Sequence, residues 1–362
     1  MLIRRAILKF YHILFGEQFF KSAHYRMVLR LCMRSRLFGA VWILATGAFE
    51  REKNSVISGR IKHLDLGTER SAISARYNLR RNTHRLEKGL IMRPRRNVFA
   101  LEYIVETTRD FNVVQEAKVE SDADLLAWSH DVLVEYFSIV DQAEPKIADA
   151  REIFLQSGTK ESSEIPPKPK TPYARDLDSK IQISIESITK LAKRRRSCRW
   201  FLPESVPREM IDAAIRVANY SPSACNRQPF EYRIFDEKAL VEKIASVPMG
   251  TRGFSQNFPC VVVIVGQLSA FPYVRDRHVP YIDASLSAMA FQFALEVQGI
   301  SSCCINWPDI EEREVLLRET IQLDDDECVV MFLAVGFPDP KCLVPYSQKK
   351  PISEIRSYNK TC

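Results

Sequence analysis

Two runs in the second half of the chain constrain its fold most: CVVVIVG (260–266) and CVVMFLAVG (328–336). Each is a continuous apolar stretch of strand length that ends in glycine, with no alternating polar positions. A strand without a polar side is covered on both faces, so the chain must supply helices for two sides of one sheet. Candidates are present. VPREMIDAAIRVANYSP (206–222) has Pro207 for its first turn and an apolar stripe of Met210, Ile211, Ala214, Ile215 and Ala218. PYIDASLSAMAFQFALEVQG (280–299) is small and apolar nearly all round and stops at Gly299, which marks a buried helix. SKIQISIESITKLAKRR (179–195) reads as a further helix, FEYRIFD (230–236) alternates like a half-buried strand, and SSCCIN (301–306) is a short strand or loop. The expected architecture is a three-layer α/β/α sandwich of the α+β class.

The rest of the chain is organised differently. At 362 residues it is long enough for two or three domains. Residues 50–155 read as helical, most clearly in the glycine-free LLAWSHDVLVEYFSIVDQA (125–143). In THRLEKGLIMRP (83–94), Gly89 is expected to supply the left-handed residue that ends a helix, with Pro94 blocking its continuation. His84 and Glu87 share a helix face there; with no second such pair, a local polar contact is expected rather than a metal site. SGTKESSEIPPKPKTPYARD (157–176) is rich in Pro, Lys and Ser and reads as a linker. The expected division is a basic amphipathic helical segment at 1–60, a helical domain at 61–156, the linker at 157–176 and the sandwich at 177–362.

Charge and cysteine usage narrow the function. A net charge of +7 favours anionic partners. Nine cysteines without CxxC or zinc spacing fit a reducing, cytoplasmic setting and neither a disulfide framework nor a zinc site. In the first 49 residues Arg4, Arg5, Lys9, Lys21, Arg26, Arg30, Arg34 and Arg36 face one acid, Glu17, and apolar residues interleave with them. The apolar run LFGAVWILATGAF (37–49) has 13 residues, short of the roughly 20 a spanning helix needs. Two readings stand: peripheral contact of residues 1–50 with an anionic membrane, or helices packed on the chain's own domain or a dimer partner. No GxGxxG follows a strand and no GxxxxGK[ST] occurs, so neither a Rossmann dinucleotide site nor a P-loop is supported. No nucleic-acid-binding module is found, and no nucleic-acid partner is expected.

RRRSCRWFLPESVP (194–207) carries the clearest chemistry. In an extended segment Arg195, Ser197 and Arg199 point the same way, so two guanidinium forks and a hydroxyl form a grip for an anion. With YSPSACNRQPFEYRIF (220–235), the long helix 280–299 and the late KKPISEI (349–355), this segment resembles the FMN-dependent nitroreductase family. RRSCRWF is similar to that family's Arg-x-Ser-x-Arg/Lys opening. SPSACNRQPF is similar to its Ala-Pro-Ser-x-x-Asn-x-Gln-Pro-Trp segment, with Phe230 in place of tryptophan. The resemblance covers about residues 180–362, half of the chain.

The resemblance implies a nitroreductase-like sandwich, a homodimer with FMN at the interface, and NAD(P)H as hydride donor for a small-molecule electron acceptor. It places the FMN phosphate on Arg195 and Ser197, with Arg196 beside them, and completes the grip with Lys349 or Lys350. It sets Arg199 at the pyrimidine edge of the flavin and Arg252 as a further ring contact. Pro222, Ser223, Asn226 and Gln228 would approach the flavin from the partner subunit, and the stretch holding Cys304 and Asn306 would offer backbone N–H groups to the ring. The flavin carries the chemistry, and no catalytic acid is identified. Within the same fold, a specialised FMN-dependent dehydrogenase or dehalogenase is the alternative. Outside enzymology, the alternative is a flavin-free scaffold with a membrane- or partner-binding N-terminus. Two departures bear on this. Lysine near 349 binds phosphate less well than arginine's fork. The stretch between strand 260–266 and helix 280–299 is shorter than the substrate-covering excursions of many relatives.

Overall fold

The computed structural model describes residues 23–65, 72–157, 169–179 and 181–361; expectations for residues 1–22 and 158–168 lie outside them. The chain divides into two compact units, Met1–Ser55 and Val56–Cys362. In the first, α1 (Ala23–Arg34) and α2 (Arg36–Thr46) meet at Ser35, whose Oγ caps α2 by accepting from Phe38 N. α3 (Glu50–Asp65) begins in the first unit and ends in the second.

The helical part of the second unit consists of α4 (Ala72–Leu90), α5 (Ile104–Glu116), α6 (Ala123–Ile139) and α7 (Pro145–Gln156). Their apolar stripes close on a core of Leu79, Leu86, Phe111, Leu133, Tyr136 and Phe154. The buried Tyr136 hydroxyl donates to the Phe99 carbonyl at 2.8 Å. α4 does not end in a left-handed Gly89. It runs on to Leu90, and Gly89 is needed for space, because the Phe99 ring lies where its Cβ would be. His84 lies 3.7 Å from Glu87, which also accepts from Trp128 Nε1 at 3.0 Å.

The C-terminal part contains α8 (Ile185–Arg194), α9 (Arg208–Ala218), β1 (Phe230–Phe235), α10 (Lys238–Ala245), β2 (Cys260–Gln267), α11 (Val279–Val297), β3 (Ser301–Asn306), α12 (Glu311–Arg318), β4 (Glu327–Gly336) and α13 (Ile352–Ile355). The strands pair antiparallel in the order β1-β2-β4-β3. β2 shows why its sequence lacks alternation. Val261, Val263 and Val265 pack with Val241, Ile244 and Leu317 of α10 and α12, while Val262 and Ile264 pack with Ile211, Ala284 and Phe291 of α9 and α11. A bulge between Ile264 and Val265 shifts the β4 register, so Val329 and Phe332 reach the same core despite their odd spacing. The result is the expected three-layer α+β sandwich, preceded by a helical region. α8 is shorter than its sequence suggests: the Ser184 hydroxyl accepts from Ser187 N at 3.2 Å and fixes the start at Ile185. Gly299 ends α11 with φ of 79°.

Candidate functional site

At Arg195 the chain leaves α8 and becomes extended along the outer edge of β3. Ser197 bridges Ser302 in parallel, and Cys198 N donates to the Ser302 carbonyl at 3.1 Å. Leu202 N then donates to the Phe337 carbonyl at 2.8 Å. Cys198 is buried in the core, so the alternation turns Ser197 and Arg199 away from it. Burial pushes the Cys303 thiol up, while Arg199, Ser197 and Arg195 pull it back.

The arginines of this run have different partners. Arg194 pairs with Glu296 at 3.0 Å. Arg195, Arg196 and Arg199 form no ion pair among the described residues, and Arg195 Nε is buried without a hydrogen-bond partner. A buried guanidinium nitrogen left unsatisfied costs about 1–3 kcal/mol or more, which a bound anion would remove. Arg199 and its neighbours are held from behind by Asn257, whose Nδ2 donates to the Arg199 carbonyl and whose Oδ1 accepts from Phe201 N, both at 2.9 Å. Arg252 stands exposed on the same loop. Arg196 faces Lys349 across a groove of about 620 Å³ between α8 and the C-terminal segment. Lys350 turns to Glu354 at 3.8 Å.

On β3, Cys303 is buried and Cys304 exposed on the opposite face, so the adjacent thiols do not face each other. Cys304 Sγ donates to Gln292 Oε1 at 3.2 Å, and Asn306 is exposed at the strand's end. Cys198 and Cys342 bring their sulfurs to 3.5 Å. Burial, then the bond to Cys342, push the Cys198 thiol up to about 12.

The loop with Pro222, Ser223, Asn226 and Gln228 is built separately. Cys225, Asn226 and Gln228 adopt φ of 53°, 53° and 52°, left-handed conformations that side chains seldom accept unless the surroundings impose them. Three contacts do so here. Ala224 N donates to Asp283 Oδ2 at 2.9 Å, Gln228 N to Ser223 Oγ at 3.1 Å, and Gln228 Nε2 to Asn226 Oδ1 at 3.0 Å. Asp283 is buried, which raises its carboxyl above the usual range. Arg227 is only 8% exposed and stacks over Phe271 at 4.8 Å. α4 packs against this loop, and α3 reaches the short segment after β2, where His63 Nδ1 donates to the Ser269 carbonyl at 2.8 Å. α3 and α4 thus pack over the 222–228 loop and the segment after β2.

Within one chain the two halves of the expected flavin site stay apart. Asp283 anchors the 222–228 loop near the start of α11, and Glu296 anchors Arg194 near its end. Thirteen residues separate these anchors, about 20 Å along the axis. α11 also leaves an apolar stripe of Ile282, Leu286 and Met289 exposed.

Sequence reasoning missed Asn257, Gln292, Asp283 and Glu296. The last three were visible as polar residues on an otherwise apolar buried helix, a pattern that calls for partners. Asn257 carried no such signal.

A Nitroreductase family model matches residues 192–251 and 249–337. An iodotyrosine deiodinase of Hydra vulgaris is 25% identical over 189 residues, spanning 44% of this chain and 68% of that protein. The iodotyrosine deiodinase of Thermotoga neapolitana is 27% identical over 183 residues, spanning 44% and 92%. An FMN-dependent nitroreductase structure from Clostridium difficile R20291 superposes with a TM-score of 0.41 and 21% identity, covering 47% of this chain and 98% of that one.

Proposed function

Because the C-terminal region of this chain is a nitroreductase-family domain, and the protein therefore an oxidoreductase-type enzyme, we propose that it uses FMN to take hydride from NAD(P)H and deliver electrons to an electrophilic small molecule. The observation that carries this reading is the unsatisfied, buried Nε of Arg195 beside Ser197, in a run where three arginines have no acidic partner among the described residues. That arrangement suits a phosphate.

FMN held there would supply reversible two-electron chemistry between donor and acceptor. The chain's own part is binding and electrostatics. Arg195 and Ser197 hold the phosphate, with Arg196 and Lys349 across their groove adding positive charge. Arg199 would set a cation beside the ring, and Asn257 fixes the backbone it hangs from through the Arg199 carbonyl. Asn226 and Gln228, locked by Ser223 and Asp283, arrive from a second copy. If two copies pack through these exposed residues of α11, the 222–228 loop of one would be brought toward the arginine run of the other. The site is therefore complete only in a homodimer.

The direct test is the visible spectrum of the purified protein, followed by FMN titration and anaerobic addition of NADH and of NADPH. Stoichiometric FMN binding and bleaching by either nucleotide support the proposal. Binding without bleaching removes the nicotinamide step. Absence of FMN binding sinks the reading altogether. The deiodinases among its relatives favour a second reading, reductive dehalogenation of a halogenated phenol. Release of iodide from iodotyrosine by the reduced holoprotein, without turnover of nitro compounds, would select it.

A further inference from the structure

After β4 the chain runs back along the extended arginine run. Phe201 bridges Pro338 antiparallel, and Asp339 N donates to the Trp200 carbonyl at 3.1 Å. A turn follows, in which Lys341 N donates to Asp339 Oδ1 and Cys342 N to the Asp339 carbonyl, both at 2.8 Å. This turn lays Cys342 against Cys198, 144 residues earlier, with the sulfurs 3.5 Å apart. The two thiols differ in access. Cys198 is buried and its Sγ donates to the Trp200 carbonyl at 3.1 Å, while Cys342 is partly exposed at the edge of the same core. From Leu343 to Thr361 every residue is exposed, and Lys349 of that segment lines the groove with Arg196.

We propose that Cys198 and Cys342 are a reversible redox site, oxidised to a disulfide by a peroxide and restored by a dithiol, and that the bond fastens the C-terminal segment to the run 195–199. Proximity alone would also suit two packed apolar side chains. Access decides between them: one thiol reaches solvent and the other stands behind it, as a resolving cysteine stands behind a redox-sensing one. Cys342, as thiolate, attacks one peroxide oxygen. The O–O bond breaks, hydroxide leaves and takes a proton from water, and Cys342 becomes a sulfenic acid, oxidised by two electrons. The Cys198 sulfur then attacks the Cys342 sulfur. The S–O bond breaks, the S–S bond forms, and the Cys198 proton leaves with the hydroxide as water. Burial keeps that proton on Cys198 until then, which assigns the first attack to Cys342. A disulfide holds its sulfurs about 2.0 Å apart, so the pair must close by about 1.5 Å. Cys342 begins the exposed segment and can supply that movement. This inference is independent of the flavin reading.

The test treats the full chain with hydrogen peroxide, alkylates the remaining thiols in denaturant and maps the peptides by mass spectrometry. Expected are a peptide pair joined through Cys198 and Cys342, its loss after dithiothreitol, and hydrogen exchange at 337–349 slowed about ten-fold in the oxidised chain. Cys342→Ser should leave Cys198 open to alkylation at peroxide doses that bridge the wild type, with oxidation about ten-fold slower. Cys198→Ala should halt Cys342 at the sulfenic acid, which dimedone captures. Circular dichroism checks folding; Cys342→Ser changes only a partly exposed side chain and decides the matter if Cys198→Ala does not fold. Both thiols still open to alkylation in the treated wild type would overturn the proposal. So would a bridge through Cys303 or Cys304 instead, a link between two chains through Cys342, or a Cys198–Cys342 bond that leaves exchange at 337–349 unchanged.

Discussion

Two stretches of this chain look alike as strings: RMVLRLCMRSR (26–36) and KRRRSCRWF (193–201) both set arginines among apolar or aromatic residues around one serine. Their structures differ in period. The first is helical, so its arginines recur every four residues along one exposed side. The second is extended against β3, so Arg195, Ser197 and Arg199 alternate at two-residue steps on one side, with Cys198 turned into the core between them. A period of four spreads charge along a line and suits an extended anionic surface. A period of two gathers donors at a point and suits a single phosphate. Composition is shared; backbone geometry sets the size of the anion.

The largest expected effect separates the two. Arg195→Ala should weaken FMN binding by about 10- to 100-fold, the worth of one or two charge-assisted hydrogen bonds, whereas Arg30→Ala should leave it unchanged. Fluorescence titration measures both; an equal loss would merge the two stretches into one electrostatic patch. Arg195→Lys is a finer probe. A point-gathered site needs the planar fork, so this change should cost about ten-fold in FMN affinity. Asn257→Ala removes the two hydrogen bonds that hold the extended run without touching its charge. It should reduce FMN affinity by several-fold, about 1 kcal/mol, and shift the flavin absorbance, since Arg199 then moves. An unaltered spectrum and affinity would remove Asn257 from the positioning role.

The smallest effect concerns the cover over the 268–278 segment. Burial holds the His63 imidazole below its ordinary value of 6.5. The unfolded chain therefore takes up the proton first as the pH falls. The His63 contribution is whole above about pH 6.5 and is lost as the pH drops toward the folded-state value. Hydrogen exchange at Val56–Asp65 should accelerate, after correction for intrinsic rates, between about pH 7.5 and about 5.5, and His63→Gln should flatten that dependence. Equal pH dependence in both proteins would assign the change to another group.

Much of the sandwich was legible because its signals are local. β2 and β4 announce burial on both faces by lacking alternation, Gly299 marks a helix end, and the period-two spacing of Arg195, Ser197 and Arg199 follows once the segment is extended. Other features were not legible. Gly89 reads as a helix stop because a glycine near a helix end usually supplies a left-handed turn; here it gives room to Phe99, a contact made ten residues away. Likewise, Cys225, Asn226 and Gln228 have no sequence mark for φ near 50°, since Asp283, 59 residues beyond Ala224, imposes it.

The sequence by itself determined the layered class, the strands that lie at its centre, and the alternating donors of an anion grip, because each depends on residues within one turn or a few strand positions of each other. Only the tertiary structure decided that Arg194 is neutralised by Glu296 while Arg195 is left unsatisfied, that Asn257 holds the run in place, and that the two halves of the expected site lie at opposite ends of α11. Those outcomes depend on which distant side chains the packed helices bring within hydrogen-bond reach. Spacing along the chain does not encode such distances.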